Sequence, residues 1–344
     1  MALAGYGLAG RQIHAPLIRA EPGVRLATVV TSNADRQAQA REDNPGVQVL
    51  PRLADLWAKA AEHDLLVVAT PTGTHVEVGL AAVAHRLPLV VDKPVASTAA
   101  QGRRLVAAAA EAGVLLSVFQ NRRWDSDTLT IERLLTAGEL GAVHRFESRF
   151  ERWRPEARAG AWREETSPSE GGGILLDLGS HVVDQALALF GPAERVFAEV
   201  AARRPGSVED DAFIAVFHRG GVTSHLWVSA VAAIPGPRVR VLGSAGAYVQ
   251  ERLDGQEDAL RSGLQPSAPR WGMEADHAWG RLVTADGDRR IEPVAGNWPA
   301  FYAGVVAALQ EGAPNPVTGA SAVAGLEVID AARRSAGREV VTLA

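Results

Sequence analysis

The chain has 344 residues, of which 47% are hydrophobic, and a formal net charge of −5. This length allows two domains with buried cores, and the mild acidity offers no basic face to a nucleic acid. The sequence contains no cysteine, which excludes disulfides, zinc–thiolate sites and cysteine nucleophiles.

The first 120 residues alternate short apolar runs with alanine-rich helical stretches, a rhythm typical of βαβ units around a parallel sheet. The predicted strands are residues 2–4, 26–31, 47–50, 65–69, 89–92 and 115–119. Helical stretches between them include residues 9–20, 75–86 and 99–112. The pattern predicts a doubly wound, Rossmann-type nucleotide-binding domain over residues 1–120.

After about residue 121 the pattern changes to longer strands with period-two alternation, at residues 143–153, 195–202, 212–218, 222–230 and 238–242. Helices are predicted over 174–190, 298–309 and 321–335, a loop or hairpin region over 251–280, and a short strand at 340–343. The fold class is therefore α/β. A second α/β domain with an open, mostly antiparallel sheet is expected over residues 121–344.

A glycine motif follows the first predicted strand directly and opens a helix. Gly5-Tyr6-Gly7-Leu8-Ala9-Gly10 fits G-x-G-x-x-G. Its glycines permit a tight turn, and the helix N-terminus offers unpaired N–H groups to a pyrophosphate. In this βα turn the motif predicts a dinucleotide site, with a purely structural glycine turn as the alternative.

The end of the second strand, Thr31-Ser32-Asn33, lacks the Asp or Glu that holds the ribose 2′-hydroxyl of NAD. Ser32 and Asn33, with Arg36 one helical turn further on, suit the 2′-phosphate of NADP. We therefore predict NADP rather than NAD, although these residues could simply cap a helix. A second set of cofactor contacts is expected at the end of the fourth strand, from Thr70, Pro71, Thr72 and His75.

Lys93 is one of only two lysines among 35 lysines and arginines. A lysine retained where nearly every other cation is arginine suggests a role that arginine cannot fill, because its ammonium group is compact and titrates readily. Lys93 ends a buried-strand pattern in Asp92-Lys93-Pro94, and a simple strand cap is the alternative.

The helix predicted over residues 174–190 carries Asp177, His181 and Asp184 at spacings of four and three. A carboxylate one turn before a histidine can fix its tautomer and raise its basicity, as a general base for an alcohol requires. An ordinary polar face is one alternative. A metal pair is the other, and it is disfavoured because no third ligand is obvious nearby; we predict no metal.

Together these motifs resemble the glucose-fructose oxidoreductase, inositol dehydrogenase and rhizopine catabolism family (Gfo/Idh/MocA) over essentially the whole chain. The resemblance rests on the glycine motif, on Asp-Lys-Pro at 92–94 where the family usually has Glu-Lys-Pro, and on the glycines 171–173 before Asp177 and His181. The Asn-Arg-Arg-Trp-Asp segment 121–125 and the Ser-Asn strand end are most similar to the branch of NADP-dependent scyllo-inositol dehydrogenases.

The resemblance implies a Rossmann domain followed by a domain whose open sheet carries the substrate pocket and an oligomer interface, in a homodimer or homotetramer. It assigns catalysis to Lys93, Asp177 and His181. It also implies cofactor contacts from Gly5, Tyr6, Gly7, Leu8, Ala9, Gly10, Ser32, Asn33, Arg36, Thr70, Pro71, Thr72, Asp92, Lys93, Asn121, Trp162 and Arg163.

The expected reaction is reversible hydride transfer between NADP(H) and a ring hydroxyl or ketone of a cyclic polyol or sugar. His181 would take the hydroxyl proton, Asp177 would orient the imidazole, and Lys93 would stabilise charge on the substrate oxygen. Further substrate contacts are expected from Arg123, Trp153, Arg154, Asp184 and Tyr302.

Two alternative functions stay open. The same fold and cofactor can support glycoside hydrolysis through transient oxidation, and the protein could be a dinucleotide-binding sensor without chemistry. In each case the expected partner is a small molecule. Without a secretory leader or an apolar run long enough to cross a bilayer, we expect a cytoplasmic protein without a membrane partner.

Overall fold

The computed structural model describes residues 1–157, 164 and 166–343. Trp162 and Arg163, which were expected at the cofactor, lie outside these residues. Within the described chain the strands form two sheets, one of six strands and one of nine.

The first sheet consists of β1 (Ala2–Ala4), β2 (Thr28–Val30), β3 (Gln48–Leu50), β4 (Leu66–Val68), β5 (Leu89–Asp92) and β6 (Leu116–Phe119). Its helices are α1 (Ala15–Ala20), which follows a π-helical turn at Gly10–His14, α2 (Ala34–Asp43), α3 (Leu53–Trp57), α4 (His75–Ala84) and α5 (Ala99–Glu111). The strands are parallel, in the order β3-β2-β1-β4-β5-β6. This order reverses between β1 and β4, where doubly wound sheets bind ligands beyond the strand ends. The predicted Rossmann fold is confirmed.

The second sheet contains β7 (Val143–Glu151), β8 (Ala193–Ala201), β9 (Asp211–His218), β10 (Thr223–Ser229), β11 (Val239–Gly243), β12 (Gly246–Gln250), β13 (Gly280–Thr284), β14 (Gly287–Ile291) and β15 (Val341–Thr342). The other helices are α6 (Ser126–Thr136), α7 (Ile174–Asp177), α8 (Gly179–Phe190), α9 (Gln256–Arg261), α10 (Pro299–Gln310) and α11 (Gly319–Ser335). The strand order is β14-β13-β12-β11-β7-β10-β9-β8-β15. Neighbours are antiparallel except β7 and β10, so the open, mostly antiparallel sheet is also confirmed.

Helices from the end of the chain pack against the first sheet. The Asp330 carboxylate on α11 accepts a hydrogen bond from the Ala99 N–H at the start of α5, at 3.0 Å. Tyr302 on α10 contacts His14, whose Nδ1 lies 2.7 Å from the tyrosine hydroxyl. Helix α11 packs against both α5 and α8, so it connects a helix of the first sheet with the helix that carries His181.

The helix predicted over residues 174–190 is broken. It ends at Asp177 and starts again at Gly179, and the segments on either side of the break meet at 66°. Asp177 and His181 are therefore not on consecutive turns of one straight helix, which was the geometry assumed for a carboxylate–histidine pair. Among the described residues no single helix is long and apolar enough to cross a membrane, and only this bent pair, Pro168–Asp177 with Gly179–Phe190, has the length and composition for it.

Candidate active site

The glycine motif forms the turn between β1 and the first helix. Gly5 has a φ of +96°, and a Cβ there would lie 2.3 Å from the carbonyl oxygen of Ala69. A Cβ on Gly10 would lie 2.1 Å from the oxygen of Gly5, so neither position admits a side chain. At Gly7 the nearest atom to a Cβ would be Nη1 of Arg36, at 3.8 Å. The open backbone at Gly7, next to a helix N-terminus, fits a pyrophosphate.

Arg36 brings a guanidinium group to this turn. The backbone N–H of Arg36 donates to the side chain of Asn33 at 2.9 Å, so Asn33 caps α2, as the alternative interpretation proposed. Ser32 and the Arg36 side chain remain exposed beside the turn. With no carboxylate at the end of β2, these groups fit a dinucleotide that carries a 2′-phosphate.

Tyr6 lies in the motif but points away from the turn. Its hydroxyl donates to Asp43 at 3.0 Å and accepts from Asn44 at 2.7 Å, and its side chain is buried. Only the backbone of Tyr6 is therefore available to a nucleotide. Leu8 and Ala9, in contrast, line a cavity that also contains Lys93.

His75 connects the ends of β4 and β5. Its Nε2 lies 2.8 Å from the carbonyl oxygen of Thr70, and its Nδ1 lies 2.9 Å from that of Pro94. Burial lowers the pKa of His75. Since both ring nitrogens contact backbone carbonyls, the ring positions the loop rather than facing a cofactor. The contacts predicted for residues 70–72 remain predictions.

Lys93 projects from the end of β5 into a cavity of about 610 Å³. Its Nζ donates to the backbone oxygen of Asp177 at 2.7 Å and to the Asp177 carboxylate at 3.2 Å. Arg152 approaches the other carboxylate oxygen of Asp177 at 3.7 Å. Asp177 thus accepts hydrogen bonds from Lys93. No hydrogen bond between Asp177 and His181 is found in the described chain.

His181 lies in the wall of the same cavity, on α8. Its ring is stacked on Phe150, with centroids 6.0 Å apart, and its Nδ1 is buried without a hydrogen-bond partner. Nε2 is the nitrogen left open to the cavity. Burial, followed by the nearby charges of Lys93 and Arg122, holds the pKa of His181 well below its usual 6.5. The imidazole is therefore neutral at neutral pH and able to accept a proton.

Buried polar groups on the side of Lys93 away from the cavity connect Asp92, His14 and Tyr302. The central residue of this group, His14, was not predicted from the sequence. The Asp92 carboxylate lies 3.6 Å from Nε2 of His14 and accepts the backbone N–H of Lys93 at 2.8 Å. His14 in turn contacts the Tyr302 hydroxyl at 2.7 Å. Burial alone would raise the pKa of Asp92, but His14 and Lys93 outweigh it, and the pKa is lowered.

Several residues predicted at the substrate lie elsewhere. Tyr302 is fully buried behind His14, and Trp153 is 55% exposed on the outside. Arg123 donates two hydrogen bonds to Asp184, at 2.8 and 2.7 Å, so the two charges are paired. Neither side chain lines the cavity. Neighbouring residues of a short helical turn point in different directions, and it is Arg122 that lines the cavity. Asn121 and Arg154 line it as well.

Comparisons with known proteins agree with this geometry. A family model described as "Oxidoreductase family, NAD-binding Rossmann fold" matches residues 1–120, and one described as "GFO/IDH/MocA C-terminal domain" matches residues 128–249. The chain belongs to the GFO/IDH/MocA oxidoreductase family. The family resemblance seen in the sequence is thereby confirmed.

Individual members of the GFO/IDH/MocA family match over nearly their whole length. The scyllo-inositol 2-dehydrogenase (NADP(+)) IolW of Bacillus subtilis is 35% identical over 96% of this chain and 92% of its own. The uncharacterized oxidoreductase YdgJ of Escherichia coli is 39% identical, covering 97% and 95%. The solved structure of the B. subtilis oxidoreductase yvaA is 33% identical, covers 100% of this chain and 97% of its own, and has a TM-score of 0.93. The expectation of an NAD(P)-dependent dehydrogenase acting on CH–OH groups is confirmed at this level.

Proposed function

We propose that the protein catalyses reversible oxidation of a ring hydroxyl of a cyclic polyol or sugar, with NADP(H) as the cofactor. The observation on which this rests is the cavity that contains the Lys93–Asp177 pair and His181 and that extends to Leu8 and Ala9 of the glycine turn. A substrate in this cavity would have a cation and a neutral imidazole on one side and the nucleotide site on the other.

Lys93, His181 and Asp177 have distinct roles in the proposed reaction. Lys93 is held by two oxygens of Asp177, and it donates to the substrate oxygen on which negative charge develops. His181 receives the hydroxyl proton at Nε2, because Nδ1 is enclosed. Asp177 positions Lys93. The sequence had instead led us to expect that Asp177 would orient the imidazole of His181. When bound, the nicotinamide supplies the hydride acceptor.

The preference for NADP is supported by the position of Arg36 over Gly7 and by the absence of a carboxylate at the end of β2. A ribose 2′-phosphate requires a cationic or hydroxyl-rich environment, whereas NAD requires an acidic acceptor. The name of the relative IolW specifies NADP(+) and scyllo-inositol. That name supports both parts of the proposal.

The experiment incubates the protein with NADP⁺ and a panel of cyclic polyols, sugars and glycosides, and with NADPH and the corresponding ketones. The absorbance of NADPH is followed in each case. We expect net formation or consumption of NADPH with at least one ring compound and none with Lys93→Ala. Cleavage of a glycoside without net change in NADPH would show the hydrolase alternative. Tight NADP binding without turnover on the whole panel would show a sensor.

A further inference from the structure

Most charged side chains around the cavity are neutralised by a partner. Arg122 pairs with Asp125 at 2.9 Å and with Glu257 at 3.0 Å. Arg204 pairs with Asp210 at 3.0 Å and with Glu164 at 3.1 Å. The same holds for Lys93 with Asp177 and for Arg261 with Glu257, at 3.2 and 2.7 Å.

Among the described lysine and arginine side chains that line the cavity, Arg152 and Arg154 are the exceptions. The Arg154 side chain forms no ion pair or hydrogen bond with any described residue. The carboxylate within ion-pair distance of Arg152 is that of Asp177, at 3.7 Å, where Lys93 is already bound. Glu164 and Glu257 attract Arg152 from further away, and its buried Nε has no acceptor. Burial, followed by repulsion from Arg154, lowers the pKa of Arg152. Two neighbouring guanidinium groups that repel each other, without a close carboxylate of their own, would be stabilised by an anion between them.

The backbone presents both arginines in a fixed position. Beyond the end of β7 the chain continues along β10, where Arg152 N donates to Ser229 O at 2.9 Å and Arg154 N donates to Ala230 O at 2.7 Å. Arg204 also donates to the carbonyl oxygen of Arg154, at 3.1 Å. Residues two apart on an extended chain point to the same side, and both side chains line the cavity beside Lys93.

We infer that the substrate carries an anionic group, a carboxylate or a phosphate, which Arg152 and Arg154 bind while the reacting hydroxyl lies against Lys93 and His181. The inference rests on the proposed function and narrows its substrate from polyols in general to sugar or polyol acids and phosphates. The planar guanidinium fork matches the oxygens of both groups.

The test measures binding, so that it does not depend on turnover. Isothermal titration of the protein loaded with NADPH, which cannot oxidise a hydroxyl, would compare glucose with glucuronate and glucose 6-phosphate, and myo-inositol with its monophosphate. Loss of a charge-assisted contact changes affinity by roughly 10- to 100-fold, so at least one anionic ligand should bind about that much more tightly than its neutral partner. The carboxylate and phosphate arms show which group the site prefers. If no anionic ligand binds more tightly than its neutral partner, the inference is wrong.

Arg154→Gln is the first variant, because this exposed side chain supports no described interaction and its loss should leave the fold intact. It should remove most of the advantage of the anionic ligand, and Arg152→Gln should do the same. Arg219→Gln, an exposed position in the turn between β9 and β10, is the matched control and should retain that advantage. An advantage that persists in both cavity variants would contradict the inference. The proposed function fails separately, through absence of NADPH turnover on the whole panel with the sugar acids and phosphates added to it.

Discussion

Gly7 and Gly10 allow a sharp test of the nucleotide site, because the structure predicts opposite consequences for the same substitution. Gly7→Ala places a methyl group 3.8 Å from its nearest neighbour, an ordinary contact distance, at a residue without a positive φ. Replacing a glycine at a compatible position stabilises a protein by about 0.4 to 1 kcal/mol. Gly10→Ala places the methyl group 2.1 Å from the Gly5 oxygen, and such overpacking costs about 1 to 3 kcal/mol or more.

NADP binding should separate the variants further. The methyl group of Gly7→Ala occupies the space in which a pyrophosphate would approach the backbone. Loss of one or two charge-assisted hydrogen bonds, at about 1.5 to 3 kcal/mol each, weakens binding by roughly 10 to 10⁴-fold. We would measure thermal unfolding without nucleotide and NADP affinity by calorimetry. A Gly7→Ala protein that is as stable as the original and binds NADP equally well would refute the assignment of this turn to the nucleotide.

The other predictions concern Arg36, Lys93, Asp177 and His181. Arg36→Ala should weaken NADP binding by roughly 10- to 100-fold and leave NAD unchanged, which titration of both nucleotides would show. Lys93→Arg should lose nearly as much kcat as Lys93→Ala, because a rigid fork cannot occupy the place of an ammonium between two oxygens of Asp177; near-normal kcat would reduce Lys93 to a strand cap. In kcat, Lys93→Ala and Asp177→Asn should be strongly non-additive, whereas Asp177→Asn and His181→Ala should be closer to additive, and the reverse pattern would restore the sequence-based pairing. The pKa of His181 is lower in the folded protein than in the unfolded chain. Its contribution to stability is therefore present above pH 6.5 and is lost as the pH falls through the folded-state pKa. His181→Phe should accordingly unfold less readily on acidification, which acid-unfolding curves of the two proteins would show. The acid limb of kcat for oxidation should likewise lie below pH 6.5 in the original protein.

The fold was predictable where burial leaves a simple pattern. Strands β1, β2 and β4 are buried along their whole length between two layers of helices, and they appear in the sequence as short apolar runs between helical stretches. Helix α6 was not predicted because its first turns bury polar side chains, and Ile131 and Leu134 are buried only further along. Asp127, Thr128 and Thr130 are buried there, and Gln185 donates to the Thr128 hydroxyl at 2.7 Å. A helix that buries hydrogen-bonded polar groups has no clear apolar stripe.

The site was predictable in its residue types but not in its pairings. Spacing alone assigned Asp177 to His181, since four residues make one turn of a straight helix. The break at Leu178 removes that relation, and the carboxylate instead binds a lysine that is distant in sequence. The consequence is chemical as well as geometric. A histidine without a carboxylate partner, buried near three cations, is a weaker base than one paired with aspartate. In the proposed mechanism, more of the activation of the hydroxyl therefore comes from the ammonium of Lys93. In the proposed mechanism Lys93, rather than the histidine, is therefore the residue whose placement matters most.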